Sequence, residues 1–450
     1  MRLTIDEVVA ATSGHAGIME RTGAAVARVR TDSRTVAPGD LFVAVQAERD
    51  GHDFINAARQ SGATAWLTMR ADVRPGAIRV NDTTVALSEL GSYARTRLPD
   101  RVIGITGSSG KTSTKDLIAA ILRAEGPAAA SEKSFNNELG VPLTLLDAPA
   151  NAIAAVVEMG ARGIGHIAAL CRIARPTVGI VTNVGLAHLA MYDGPDGIVT
   201  AKGELVQALP GSGVAVLNAD DPSSLIHAVI TSARVVRFGG AALGLVDGAH
   251  TDVWASEVTL DDTLRPSFRL HSTWGDADVT LGARGRHQVS NALAAAAATL
   301  ASGSSLDHVV VGLGTKSLSP WRMAVEVALS GATVINDAYN ANPDSMAAAL
   351  RSLADVSATR RIAVLGTMAE LGDAAPAEHA RMAELARELG IDVIIAVAEP
   401  QYGASTVDGI ASALDMLSAL SVRTGDVILV KGSRVAGLEQ LAASLMGAHP

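Results

Sequence analysis

Gly104-Ile105-Thr106-Gly107-Ser108-Ser109-Gly110-Lys111-Thr112-Ser113-Thr114 follows apolar Val102-Ile103 and runs into the helical pattern Lys115-Asp116-Leu117-Ile118-Ala119-Ala120-Ile121-Leu122. Strand, Gly-rich loop and helix in that order make a phosphate cradle. The glycines let successive backbone N–H groups point at the anion, and the helix N-terminus adds its partial positive charge. Lys111 reaches the outer phosphates, and Thr112 places a hydroxyl for Mg²⁺. Gly107, Ser108, Ser109, Gly110, Lys111, Thr112 and Ser113 are therefore expected to bind ATP. The common form, G-x-x-x-x-G-K-[ST], wants glycine at 105, where this chain has isoleucine. Here the loop reads T-G-x-x-G-K-T, with its first glycine at Gly107.

The 450 residues suggest about three domains. Hydrophobic content is 48% with only 3% aromatic residues, so the apolar excess is small side chains, as in an Ala/Gly-rich α/β protein. The net charge of −9 argues against a nucleic-acid partner, which calls for a basic face. An anionic substrate must then be received by local cations or metal. Cys171, the one cysteine, excludes an intramolecular disulfide and reads as helix packing. The first residues lack the pattern of a signal peptide, and no apolar run approaches the ~20 residues of a membrane span. A soluble, cytoplasmic protein without membrane insertion is expected.

Residues 1–98 read as a first unit, with a short strand at Leu41-Phe42-Val43-Ala44-Val45. A second unit opens at the strand before the phosphate loop. Apolar runs at 153–157, 178–181 and 214–217, separated by helical segments, indicate a mostly parallel sheet. The alternating stretch 252–281 predicts an antiparallel excursion, followed by a helix from about Ser290. A third unit near Leu318 repeats the βα rhythm with runs at 333–335, 362–365, 393–397 and 427–430. Gly303-Ser304-Ser305 and Gly312-Leu313-Gly314 are candidate hinges.

Ligands of open α/β sheets sit at the carboxyl ends of strands, and several chemical residues fall there. Glu158 ends the run Ala155-Val156-Val157 and is placed to hold Mg²⁺. His188 comes just past the run 178–181, at the same sheet edge. Lys202 is expected in the first turn of a helix, where a cation opposes the dipole. A neutral lysine there can add CO₂ to become a metal-binding carbamate, and an ordinary surface lysine is the alternative. Asp337, Tyr339 and Asn340 follow a strand and make a ribose and base grip, or else a turn. His287 and Asn291, at a helix start, can read a nucleobase edge. Arg322 lies on the approach to the third unit and would reach a transferring phosphate only on domain closure.

In this order the pieces resemble the Mur ligase family, ATP-dependent enzymes that build the peptide stem of peptidoglycan. The resemblance covers essentially the whole chain. Thr106 to Thr112 is similar to the family's phosphate loop, with the same displaced glycine. Asp32-Ser33-Arg34, with 38–44 and 50–54, is similar to the uridine-binding domain, which implies Ser33 and Arg34 in substrate binding. Asn136 to Thr144 is similar to the segment that meets the muramyl-peptide, which implies Asn136 and Asn137. Glu158, His188 and Lys202 match the metal ligands, Lys202 at the carbamylated position. The resemblance thus implies two Mg²⁺ ions held by Thr112, Glu158, His188 and Lys202. Gly285-Arg286-His287 and Asn291 match the adenine-side motif.

The family implies three domains: 1–98 for the UDP-substrate, 99–316 with a P-loop ATPase-like sheet, and 317–450 as a Rossmann-like α/β domain. The runs 337–343, 365–372 and 430–434 most resemble the type that joins D-alanyl-D-alanine to UDP-N-acetylmuramoyl-tripeptide. The type that adds the third stem residue carries Asp-Asn-Pro-Arg, a run absent here. The implied chemistry is phosphorylation of a carboxylate by ATP and attack of an amine on the acyl phosphate, with Lys111, Lys202, His188 and Arg322 as catalytic residues and the protein a monomer. Another Mur-type ligase with a different amine, or a P-loop nucleotide switch, are the alternatives. One departure stands out: relatives of this type carry glycine before the hinge arginine, and this chain has Trp321.

Overall fold

The structure, a computed structural model, describes residues 1–16, 25–131, 135–185, 192, 194–240, 251–315 and 319–447. Its middle is built on the strand Val102–Thr106, five buried residues with no charged side chain. Both of its neighbours are parallel to it, Ala154–Glu158 on one side and Val178–Val181 on the other. Short apolar runs covered on both faces take this arrangement because only buried strands can hold Val and Ile on both sides. The register sets Glu158 beside Ile105 and Val181 beside Thr106, so Glu158 and the residues after Val181 emerge at the edge from which the phosphate loop leaves.

The sheet extends through parallel Ala128–Ala130 at one edge and through Val214–Asn218, Arg234–Gly239 and Val253–Leu260 towards the other. It then turns antiparallel through Pro266–Ser272 and Ala277–Thr280, where the alternating stretch is. The helices Lys111–Glu125 and Gln288–Ala301 cover one face. Ala292 to Ala298 are all buried, small side chains that let helix and sheet approach closely. This helix begins two residues before the expected Ser290.

Neither candidate hinge is one. Gly303-Ser304-Ser305 is a tight connection whose Ser305 caps the helix Leu306–Gly314, and Gly312 lies inside that helix. Gly312 faces the helix Lys111–Glu125 so closely that an added Cβ would collide with the Ile121 backbone.

A five-stranded sheet carries the N-terminal segment, in the order His15–Ala16, Ala77–Arg79, Ala65–Thr68, Leu41–Val43, Val29–Arg30. Its helix Thr83–Arg95 packs on Gly140–Leu146 and His166–Ala174, and the two regions share one apolar core that includes Leu90, Ala94, Val141, Leu145, Leu170 and Cys171. Arg95 is buried there, donating from Nε to the Ala174 carbonyl at 2.8 Å. The last sheet has six strands, ordered Ala324–Val327, Thr333–Asn336, Asp426–Lys431, Arg360–Leu365, Val393–Val397, Ser405–Val407, with only the first antiparallel. It has its own apolar cluster on each face. Among the described residues no helix is long and apolar enough to cross a membrane.

Gly312→Ala is expected to overpack this contact and destabilise the middle of the chain by about 1–3 kcal/mol. Scanning calorimetry checks it, and an unshifted transition would contradict the close approach.

Candidate active site

The phosphate loop is shaped by its neighbours as much as by its own glycines. Gly107 and Gly110 have φ of +148° and +77°. A Cβ on Gly107 would strike Thr182 Oγ1, and one on Gly110 would strike Asn291 Oδ1. Only glycine meets both the conformation and the crowding. Asn183, just past the strand Val178–Val181, accepts the Ser108 and Ser109 N–H groups on Oδ1 at 3.1 and 2.9 Å. Its Nδ2 donates to Ser109 Oγ at 2.6 Å. Lys111 Nζ lies across the loop, donating to the Gly107 and Ser108 carbonyls at 2.6 and 3.3 Å. Burial lowers its pKa, with Glu158 opposing that shift and Arg322 adding to it.

Thr112 Oγ1 donates to Glu158 Oε2 at 2.8 Å, and Asn136 Nδ2 donates to Glu158 Oε1 at 2.9 Å. Two buried hard oxygens next to a phosphate loop fit Mg²⁺. Asn137 is turned to its own segment, accepting from Gly140 N at 3.0 Å. Lys202 is not in a first turn: its helix is Pro195–Gln207, so the dipole argument fails there. Burial distinguishes it instead. It is 5% exposed, makes no hydrogen bond or ion pair with another described residue, and has its pKa pushed down to about 7 by burial and by the nearby charge of Lys111. His188 lies outside the described residues. Among the described ones no three His, Cys, Asp or Glu side chains cluster as a metal site.

The C-terminal sheet closes the site from the other side. Asn342 Nδ2 reaches the Ser108 carbonyl at 3.4 Å, and Asp344 packs against Gly185. Asp337 is locked by Lys431 Nζ at 2.5 Å and by Met323 N–H at 3.1 Å; Lys431 also donates to the Asn340 carbonyl at 3.0 Å. The Arg322 guanidinium lies over the Tyr339 ring at 4.2 Å, and its buried Nε has no acceptor among the described residues. A buried unsatisfied donor beside a phosphate loop is what an anion would complete. Trp321 adopts φ +59°, the left-handed region in which glycine is unstrained, and its ring is covered by the Arg434 guanidinium at 4.6 Å.

His287, the residue before the helix Gln288–Ala301, has its pKa lowered to about 4 by burial, against the pull of Asp337, so it is neutral at ordinary pH. Its Nδ1 is 3.5 Å from Ser352 Oγ, while Asn291 turns to the phosphate loop, 3.4 Å from Thr114 Oγ1.

Most of these groups line one cavity of about 1180 Å³, large for a single small-molecule site. Lys111, Glu158, Lys202, His287, Arg322 and Asp337 face it together, though they are far apart in sequence. Ser33 and Arg34 do not line it. They sit in the turn Ser33–Thr35 at the edge of the N-terminal sheet, where Arg34 folds back on Asp32 at 2.6 Å. Asn183 is the site residue that motif reading passed over. Its signal was Thr182-Asn183 at a strand end, next to the strand that feeds the loop.

Comparison with known proteins finds the same three parts in this order. Residues 25–92 match the Mur ligase family, catalytic domain; 105–299 the Mur ligase middle domain; and 321–434 the Mur ligase, glutamate ligase domain. The UDP-N-acetylmuramoyl-tripeptide--D-alanyl-D-alanine ligase of Mycobacterium tuberculosis is 40% identical over 99% of this chain and 98% of its own. A crystal structure of MurF from Acinetobacter baumannii superposes with a TM-score of 0.89 at 33% identity, covering 99% of both chains. MurF ligase from Thermotoga maritima in complex with ADP superposes with a TM-score of 0.81 at 27% identity, over 93% of this chain and 97% of that one.

Asn183→Ala removes two acceptor contacts that shape the loop. It is expected to weaken ADP binding about tenfold, measured by titration calorimetry. Unchanged affinity would show that the loop holds its form without this brace.

Proposed function

This chain belongs to the Mur ligase family, and we propose that it acts as its MurF type, an ATP-dependent amide ligase joining D-alanyl-D-alanine to the terminal carboxylate of UDP-N-acetylmuramoyl-tripeptide. The observation that carries this reading is the convergence of the phosphate loop, Glu158, Lys202 and Arg322 on one cavity, in a chain related end to end to enzymes named for that reaction. A carboxylate is a poor acyl donor until its oxygen becomes a leaving group. Transfer of the γ-phosphoryl group of ATP to it supplies one. The dipeptide amine then adds to the acyl carbon, and the tetrahedral adduct expels phosphate, leaving the amide and ADP.

The protein's part is positioning and charge neutralisation. Lys111 exchanges its carbonyl contacts for the outer phosphates. Arg322 gives its unsatisfied donor to the transferring group. Thr112 and Glu158 would be the oxygen ligands for one Mg²⁺, and Lys202 as a carbamate, with His188, would serve a second. Bound there, the metal would neutralise phosphate and carboxylate charge that otherwise repels in a poorly screened cavity. The proposed carbamate rests on the buried, unpaired amine of Lys202. His287 and Asn291 face the nucleoside side, with Asp337, Tyr339 and Asn340 across from them. Asn136, Asn137, Ser33 and Arg34 are assigned to the UDP-linked substrate by resemblance. A cytoplasmic location goes with this reading, and the lack of a membrane-crossing helix among the described residues is consistent with it. Segments 1–98 and 99–316 are assigned to the UDP-substrate and to ATP, and 317–450 is the C-terminal α/β domain that brings Arg322, Asp337, Tyr339 and Asn340 to the cavity.

Phosphate release from ATP should require both the tripeptide and D-alanyl-D-alanine and give a product heavier by the dipeptide. Release needing neither would favour the nucleotide-switch reading. Lys111→Ala is expected to lower turnover by at least about 100-fold with the fold intact by circular dichroism.

Carbamate formation needs the neutral amine. With the Lys202 pKa depressed to about 7, that form is the majority above pH 7 instead of above the ordinary lysine value of about 10.4. Protein in ¹³C-bicarbonate should therefore show a carbamate carbon signal that rises as pH passes upward through 7 and is missing in Lys202→Ala. No difference between the two proteins would remove the modification.

A further inference from the structure

Ser319–Met323 connects the two bodies that face the cavity, and it is gripped at both ends by contacts outside the chemistry above. On the central side Asp116 Oδ2 accepts from Ser319 N at 2.7 Å and from Ser319 Oγ at 2.8 Å. Asp116 is buried in the helix Lys111–Glu125, one and a half turns beyond Lys111. Its other oxygen pairs with Lys115 Nζ at 2.9 Å. Lys115, 2% exposed, donates to the Ser131 carbonyl at 2.7 Å, and Ser131 Oγ lies 3.3 Å from the Glu158 N–H. A continuous polar chain thus runs from the backbone of Glu158 to the start of the linker.

On the C-terminal side the Trp321 carbonyl accepts from Tyr339 N at 3.3 Å, the Trp321 ring lies under Arg434, and Met323 N–H is held by Asp337. Only Pro320 separates the residue fastened to one body from the residue fastened to the other. Trp321 and Met323 both have positive φ, +59° and +52°. Side-chain-bearing residues stay in that region only where their surroundings over-determine it. Burying a carboxylate is costly unless it is paired and hydrogen-bonded. Asp116 meets that condition by taking both donors of a residue 203 positions away.

We propose that Asp116 is a positioning residue that fixes the central end of the interdomain linker, so that the C-terminal body pivots at Ser319–Trp321 and Arg322 returns to one place in the cavity on each closure. This rests on the reading of Arg322 as the cation for the transferring phosphoryl group. Arg322 is three positions beyond Ser319, a reach of at most about 11 Å, so slack at Ser319 passes directly to the guanidinium. Displacement of such a group by about 1 Å costs on the order of 100-fold in rate.

The test is steady-state turnover of the full-length enzyme with both substrates, beside ADP affinity by titration. Asp116→Ala is expected to lower kcat on the order of 100-fold and Ser319→Ala about tenfold, with ADP affinity within threefold in both. The double variant should be no slower than Asp116→Ala, because both changes cut one connection. Asp116→Ala also removes the Lys115–Asp116 ion pair inside a buried helix and risks the fold. Ser319→Ala leaves that pair intact and decides the matter if the other variant is unfolded. A Ser319→Ala kcat within twofold of wild type, or additive losses in the double variant, overturns the proposal. Wild-type protein lacking substrate-dependent phosphate release overturns the ligase reading instead. The anchor is then judged by small-angle scattering: Ser319→Ala widening the distance distribution supports it, and an unchanged profile sinks it.

Discussion

The tightest constraint in this molecule is steric. Two glycines of the phosphate loop have no room for a methyl group, because Thr182 presses on one and Asn291 on the other. Each of those neighbours comes from a different element, and each must be brought to within van der Waals contact for the loop to hold its form. The parallel register on either side of Val102–Thr106 delivers Thr182, Asn183 and Glu158. The Ala-rich helix Gln288–Ala301 delivers Asn291, and its small side chains allow that approach. The nine-stranded sheet and its covering helices can be understood as the scaffold that keeps a crowded anion cradle from relaxing. Preorganisation of this kind is what phosphoryl transfer asks of a protein.

Charge is handled by a different route. The chain carries a net −9, yet its central cavity holds Lys111 and Lys202 in one neighbourhood. Burial lowers the pKa of each, with Arg322 adding to the shift at Lys111 and Lys111 adding to it at Lys202. Asp337 and Lys431 are neutralised as a pair, and His287 stays uncharged. The cavity lines its charged and polar groups with apolar ones such as Leu170 and Phe238, a condition under which a single added ion has a large effect because little water screens it.

Much of this could be read from the residues in order. The phosphate loop, Glu158 at a strand end and the antiparallel stretch 252–281 follow from local periodicity and turn chemistry, and the structure has them. The readings that failed were those in which local signals mislead. Gly197 and Gly203 flank Lys202 and suggest a helix starting nearby, but Pro195 already opens that helix, and Gly203 serves close packing against His227. Gly312 and Gly314 look like a hinge and are helical, since what selects glycine at 312 is a backbone 191 positions away. Arg234–Gly239 was passed over because arginines interrupt its apolar run, and Ala324–Val327 because an edge strand is half exposed. Asp116 is invisible to motif reading because its partner Ser319 is brought to it by tertiary structure, and Asn183 left only the weaker signal of its place at a strand end. The Trp321 departure proved physically meaningful, since its backbone does occupy a conformation suited to glycine.

The core shared by the N-terminal sheet and the middle of the chain bears on how the protein is made. The helix Thr83–Arg95 covers its apolar face with side chains from 140–174, and a Cβ on Gly91 would come within 2.7 Å of Pro142. Roughly the first hundred residues therefore leave the ribosome with an uncovered hydrophobic surface and keep it until some seventy more have been synthesised. At elongation rates of about 5–20 residues per second, that interval lasts several seconds. The C-terminal sheet has both of its apolar clusters within its own stretch of chain, apart from contributions of Leu264 and Leu260. It is free of that wait. Chaperone dependence during synthesis would thus fall on the front of the molecule, while the last sheet finds nearly all of its apolar cover in its own stretch of chain.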